Sequence, residues 1–314
     1  MSLRLHPLPG TDLQLSTFCC GCGDLFAVPP NESDAVLDAF VEAGGNFFDT
    51  AHAYCHWLPG GNGLSEIGIG DYVRRRGLKN VTIATKGGHP TAWRYRKVDD
   101  HLSPERLRAD IDDSLARLEC DTISLYYLHG DDTRHPVAEL IEFLNGEIKR
   151  GRLRYIAASN WSIERLTEAK AYAQAKNLQS FVLCQPRWSL AAMKLDKMPT
   201  DKRTSAMDNA AIAWYRKNRF PAAPYSPTAH GFFDGNTEEA YDTPENHKRR
   251  ERATELAKKY SVTSGQIALA WLTHQAFPVF PILGTSSPKR IKEALVADTI
   301  RLTEQEIAWL AQVS

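Results

Sequence analysis

Eight short runs rich in β-branched and aromatic residues recur along the chain, each separated from the next by a segment of helical period, and nothing else in the sequence constrains the fold as tightly. The runs are LQLSTFCC (13–20), NFFDT (46–50), VTIATK (81–86), ISLYYLH (123–129), LRYIAAS (153–159), FVLCQ (181–185), PAAPYS (221–226) and PVFPILG (278–284). Between them lie helices with readable punctuation. Ser103 and Pro104 start one whose Leu107, Ile111, Leu115 and Leu118 share a face, and Ser162 starts another. Lys248 to Tyr260, Gln266 to His274 and Lys289 to Ala297 supply others, and Thr303 with Glu306 spells a capping box. Strands alternating with helices demand a parallel sheet with right-handed crossovers, and eight such units predict closure into a (β/α)8 TIM barrel, an α/β fold.

The 314 residues suffice for two modest domains or for one barrel. No fixed-period repeat, low-complexity tract or shift of composition marks a linker, so a single domain over residues 1–314 is expected. Thirty-eight basic against 38 acidic side chains leave no global field to gather nucleic acid or anionic lipid, so any ligand is bound locally. The N-terminus has no long apolar stretch, and no run approaches the roughly 18 residues of a spanning helix. The expectation is a cytoplasmic protein without membrane or nucleic-acid partners. The six cysteines show no regular framework and no paired CxxC knuckle, so reduced thiols and no metal are expected.

A polar residue at the C-terminal end of a barrel strand points into the mouth, where barrel active sites are built. In order, the runs end in Asp49, Lys86, His129, Ser159 with Asn160, Gln185, and Tyr225 with Ser226. Each alone has a plain structural explanation, as a helix cap, a snorkelling lysine or an aromatic rim. Six in succession do not. Two long segments, CHWLPGGNGLSE and LAAMKLDKMPTDKRTSAMDN, also follow strand ends and are expected to be substrate loops.

The stretches FDTAHAY, ATK, YYLHGDD, GRLRYIAASNW, the glutamine after the sixth run, PYSP and PILGTSSPKRIKEAL, in this order, resemble the aldo-keto reductase superfamily from about residue 13 to the C-terminus. The resemblance implies a catalytic tetrad of Asp49, Tyr54, Lys86 and His129. Reducing a carbonyl needs a hydride on carbon and a proton on oxygen, and a phenol of ordinary pKa about 10 is a reluctant donor unaided. A lysine ammonium in contact stabilises phenolate and lowers that pKa, while a carboxylate keeps the amine charged. Tyr54 is therefore expected as proton donor, Lys86 as its tuner and Asp49 as orienter, with the His129 N–H aiming the substrate. His52 and His56 are four apart, but no third metal ligand follows, and they are expected to be loop residues facing substrate.

For the cofactor, the resemblance implies a nicotinamide held by Ser159, Asn160 and Gln185 and stacked on Tyr225, with Ser226, Gly284, Thr285 and Ser286 along its path. No GxGxxG follows a first strand, so no Rossmann fold is expected. Independently, Ser287 reads as an N-cap and Pro288 as the first helical residue, followed by Lys289 and Arg290. Cations are disfavoured at that end of a helix unless an anion lies between, and a 2′-phosphate fits. In the family pattern Arg290 matches the arginine that grips the NADP phosphate and Glu293 an adenine contact. Gly284 stands where some members carry lysine and Ala294 where many carry asparagine, so NADP is expected and NAD use stays open. Trp57, Trp93 and Trp188, with Tyr95 and Phe232, are read as an aromatic wall that suits either a flat apolar ketone or the apolar face of a sugar, and the polar residues of AHAYCHW and KGGHPTAWRYR favour a polar carbonyl substrate. Readings from other classes are an NADP-binding regulatory subunit with little turnover and a metal-dependent hydrolase.

Overall fold

The computed structural model describes residues 2–89, 100–197 and 207–312. Seven strands form a parallel sheet in the order β8-β7-β6-β5-β4-β3-β9. They are β3 (Cys19–Gly21), β4 (Phe47–Asp49), β5 (Thr82–Gly87), β6 (Ile123–Leu128), β7 (Leu153–Ser159), β8 (Cys184–Gln185) and β9 (Ile282–Leu283). β9 returns to pair with β3 through Cys19↔Ile282 and Cys20↔Leu283. The remaining gap, between β8 and β9, is filled by the seventh predicted run. Pro221 and Pro224 have no N–H to give, so a continuous ladder cannot form there. The run joins its neighbours by single bridges instead: the amides of Ala223 and Tyr225 donate to Cys184 O (2.8 Å) and Pro186 O (3.1 Å) on one side, and that of Ala222 to Pro278 O (3.0 Å) on the other. Together these bonds complete a (β/α)8 barrel.

The first predicted run, 13–20, is not one strand. Its front half, β2 (Gln14–Ser16), pairs antiparallel with β1 (Leu5–Pro7), and only its end becomes the barrel strand β3. The hairpin turns at Gly10, whose φ of +79° suits a residue without a side chain. Leu8, Leu13 and Leu15 of this hairpin join Phe47, Ala84, Leu125, Ala157, Leu183, Ala223 and Phe280 in a buried cluster inside the barrel, closing the end opposite the mouth.

Because side chains alternate along a strand, the residues between these face outward. Phe48, Tyr126, Leu128, Ile156, Ala158, Cys184 and Ala222 pack with the helices in a second cluster. The alternation positions the site. Counting up from the interior residues Phe47, Ala84, Ala157, Leu183 and Ala223 by two reaches Asp49, Lys86, Ser159, Gln185 and Tyr225, the last inward positions before the mouth. The helices start where their caps predict: Ser103 accepts from Arg106 N, Ser162 from Arg165 N, and Thr303 and Glu306 form the reciprocal capping box. The helix expected from Lys248 begins earlier, at Pro244, with Thr243 as its cap. All six cysteines are free thiols. Among the described residues no helix is long and apolar enough to cross a membrane.

Candidate active site

Lys86 Nζ lies at the centre of the mouth. It donates to Asp49 Oδ2 at 2.7 Å, to Thr50 O at 2.7 Å and to the Tyr54 hydroxyl at 2.9 Å, which uses all three ammonium hydrogens. Asp49 is held from the other side by Gln185 Nε2 at 2.9 Å, a bond that spans the barrel. Asp49 and Lys86 are 2% and 0% exposed, whereas Tyr54 and His129 keep part of their surface open. The Tyr54 ring stands edge-on to His129 with centroids 5.7 Å apart. His129 follows directly on β6, its amide donating to Gly87 O at 2.9 Å, and its Nδ1 is buried without a hydrogen-bond partner among the described residues. The four residues named from the sequence thus meet in one place.

Burial pushes Lys86 towards the neutral amine, but Asp49 and Tyr54 more than offset it, and its pKa lies above the usual lysine value. Burial drives the Tyr54 phenol up to about 12; Lys86 pulls it down and Asp49 adds to the rise. This corrects the expectation of a lowered phenol pKa: lysine acts in the expected direction, and loss of solvent outweighs it. Burial, then His89 and Lys86, hold the His129 imidazole well below its usual range. At neutral pH the site therefore holds a protonated phenol, an ammonium and a neutral imidazole.

Beside this group, Ser159 Oγ donates to Gln185 O (3.1 Å), Asn160 Nδ2 to Ser159 Oγ (3.3 Å) and the Tyr225 hydroxyl to Asn160 Oδ1 (3.0 Å). Asn160 and Ser226 both take positive φ, +59° and +53°. Two side-chain amides flanking a hydroxyl offer donors and acceptors together, the set that complements a carboxamide. Further along the rim, a side-chain carbon placed on Gly284 would meet nothing within 4 Å. Thr285 Oγ1 accepts from Ser287 N, and Ser287 caps the helix Pro288–Leu295. Ser286, Lys289 and Arg290 are exposed there; Lys289 approaches Glu293 at 3.8 Å, and the Arg290 side chain has no ion pair among the described residues. The Glu293 carbonyl accepts from Gln266 Nε2 at 2.6 Å.

The model of the Aldo/keto reductase family matches residues 18–314. The chain belongs to this family. It is 28% identical over 307 residues to the probable aldo-keto reductase 1 of Glycine max, covering 92% of this chain and 82% of that one. It is 25% identical over 309 residues to the aldo-keto reductase yakc [NADP(+)] of Schizosaccharomyces pombe, covering 91% and 85%. The crystal structure of the thermostable aldo-keto reductase Tm1743 superposes with a TM-score of 0.74 at 22% identity, over 99% of this chain and all of that one, a likeness of fold.

Within this aldo/keto reductase, four features escape the sequence reading. His52 does not face the mouth: it is 1% exposed and its Nε2 pairs with Asp113 Oδ2 at 2.9 Å on the outer helix Pro104–Leu118. Arg117 of the same helix reaches the His52 carbonyl (3.2 Å) and Glu66 (3.0 Å), and Glu66, fully buried, also accepts from Thr85 (2.5 Å). Together they clamp the loop that presents Tyr54 to the outer helices. No motif announces them, since each partner is remote in sequence and only the 50–56 turn brings them together. Trp188 is not part of a substrate wall. Three positions beyond inward-facing Gln185 it points outward, 4% exposed, stacked on Phe277 (5.7 Å) and edge-on to Trp271 (5.4 Å). Phe232 is likewise buried, against Phe233 and His247. Trp57 does stand at the surface, 52% exposed beside His56, whose Nδ1 contacts Ala53 O. Trp93 and Tyr95 lie outside the described residues.

Proposed function

We propose that the chain reduces an aldehyde or ketone to the alcohol with NADPH, Tyr54 delivering the proton. The observation that carries this reading is the Lys86 ammonium lodged between Asp49 and the Tyr54 hydroxyl at 2.7 and 2.9 Å. When bound, the nicotinamide supplies the hydride. As charge develops on the carbonyl oxygen, the proton leaves the Tyr54 oxygen, and Lys86 stabilises the phenolate left behind. Asp49 keeps the amine charged and aimed. His129, neutral, donates an N–H to the carbonyl oxygen and orients the substrate. Asn160, Ser159 and Gln185 hold the carboxamide, and Tyr225 offers its ring face.

The residues present fit a phosphorylated dinucleotide. Arg290 is exposed, lacks an acidic partner among the described residues, and sits in the first turn of a helix with no acidic residue there. Lys289 and Arg290 bind the 2′-phosphate in this reading; Ser226, Gly284, Thr285 and Ser286 line the path between the two ends, and Glu293 meets the adenine. Titration of protein fluorescence with NADPH and NADH tests it. NADPH binds more tightly, and Arg290→Met weakens NADPH about tenfold while leaving NADH unchanged. Equal losses for both nucleotides remove the case for phosphate recognition.

For the substrate, Trp57 and His56 at the rim suit a polar molecule with an apolar face, such as a sugar. Turnover of aldoses and keto-sugars should then exceed that of aromatic aldehydes, measured by NADPH consumption.

A further inference from the structure

One cation of the mouth has no acidic partner among the described residues. Arg187 is the next inward position above Gln185, and a parallel bridge sets it opposite Tyr225. Its guanidinium lies over the Tyr225 ring, 5.0 Å from the centroid. The side chain is half-buried, and its Nε is enclosed without a hydrogen-bond partner among the described residues. After its own burial, the groups that act on its charge are the phenols of Tyr225 and Tyr241. The enclosed Tyr241 hydroxyl is a hydrogen-bonding side chain beside the guanidinium, and it is a neutral group. Two half-buried arginines of the outer helices, by contrast, are paired, Arg117 with Glu66 and Arg165 with Asp131. Arg187 has no such acid among the described residues.

An arginine cannot shed its proton at neutral pH, so the charge persists. Partly desolvated and unpaired, it is costly unless an anion completes the site. Tyr225 fixes the guanidinium plane by stacking and contributes no negative charge. The planar fork then suits two oxygens of one group.

We propose that Arg187 forms an oxyanion subsite of the mouth, receiving a carboxylate or phosphate group from a molecule bound beside Tyr225. Two sources share that chemistry: an acid group on the carbonyl substrate, and the diphosphate bridge of the dinucleotide. The proposal rests on the reading above only in taking this mouth as the place where both bind.

Wild type, Arg187→Met and Arg187→Lys are compared in two ways. Calorimetric titration with inorganic pyrophosphate needs no turnover. KM values for succinic semialdehyde and butanal, which differ by a carboxylate, report the substrate source. A diphosphate source weakens pyrophosphate about tenfold in Arg187→Met, with both aldehydes unaffected. A substrate source raises KM for succinic semialdehyde about tenfold against a constant butanal KM. In either case Arg187→Lys, which keeps the charge and loses the fork, falls between, and it serves as the test if the methionine variant does not fold. Pyrophosphate binding and the KM ratio both unmoved in the variants overturn the proposal. If wild type turns over neither aldehyde, the pyrophosphate titration alone decides Arg187, and no binding by wild type overturns the subsite; the reductase reading fails separately, if aldoses and keto-sugars are not consumed either.

Discussion

Tyr54→Phe lowers kcat by about two to four orders of magnitude while leaving NADPH affinity unchanged. The substitution removes one oxygen. Lys86 keeps its bonds to Asp49 and Thr50 O, and the ring keeps its edge-on contact with His129. What disappears is the phenol oxygen that accepts from the ammonium at 2.9 Å, and with it the proton it would deliver. The pH profile of the wild type follows from the same group. With the phenol up at about 12, the acid form is present throughout the neutral range, and activity is lost only as pH rises towards that value. Steady-state kcat across neutral to alkaline pH, with nucleotide titration of both proteins, checks both statements. A Tyr54→Phe enzyme within a few-fold of wild type would remove Tyr54 from the chemistry.

Lys86→Met destabilises the fold and abolishes turnover together. The ammonium is fully buried, and deleting it leaves Asp49 as an enclosed carboxylate with Gln185 as its remaining side-chain donor. Breaking a buried pair from one side costs about 3–5 kcal/mol, because the surviving charge stays desolvated. Urea denaturation should show that loss. The double variant Asp49→Asn with Lys86→Met removes both charges and should recover much of the stability and none of the activity. Turnover falls for a separate reason: the group that pulls the phenol pKa down and stabilises phenolate is gone. If the double variant is as unstable as the single one, the cost lies in packing and not in the orphaned carboxylate.

The barrel and the placing of Asp49, Lys86 and His129 at its mouth were legible because strand periodicity is strict, whereas Tyr54, on the loop after Asp49, was named only through the family resemblance. Two-residue alternation places every second side chain inside, and a polar residue in that phase at a strand's end has one destination. The same rule, applied one strand further, explains the misreading of Trp188, which is aromatic and near the mouth in sequence but stands in the opposite phase to Gln185. The division of residues 13–20 into hairpin and barrel strand was hidden, since both halves are equally apolar and only pairing distinguishes them. His52 and Arg117 were hidden because their partners come from other elements. The net rise of the Tyr54 pKa depends on the depth of burial, which residue types do not encode.

The most direct test of the central claim follows a labelled hydrogen. Wild-type protein is given NADPH carrying deuterium at the transferable position of the nicotinamide, together with a carbonyl it consumes, and the alcohol is examined by mass and NMR. Direct reduction at this mouth predicts one deuterium on the carbinol carbon and a hydroxyl proton drawn from solvent through Tyr54. An alcohol free of the label would contradict the account.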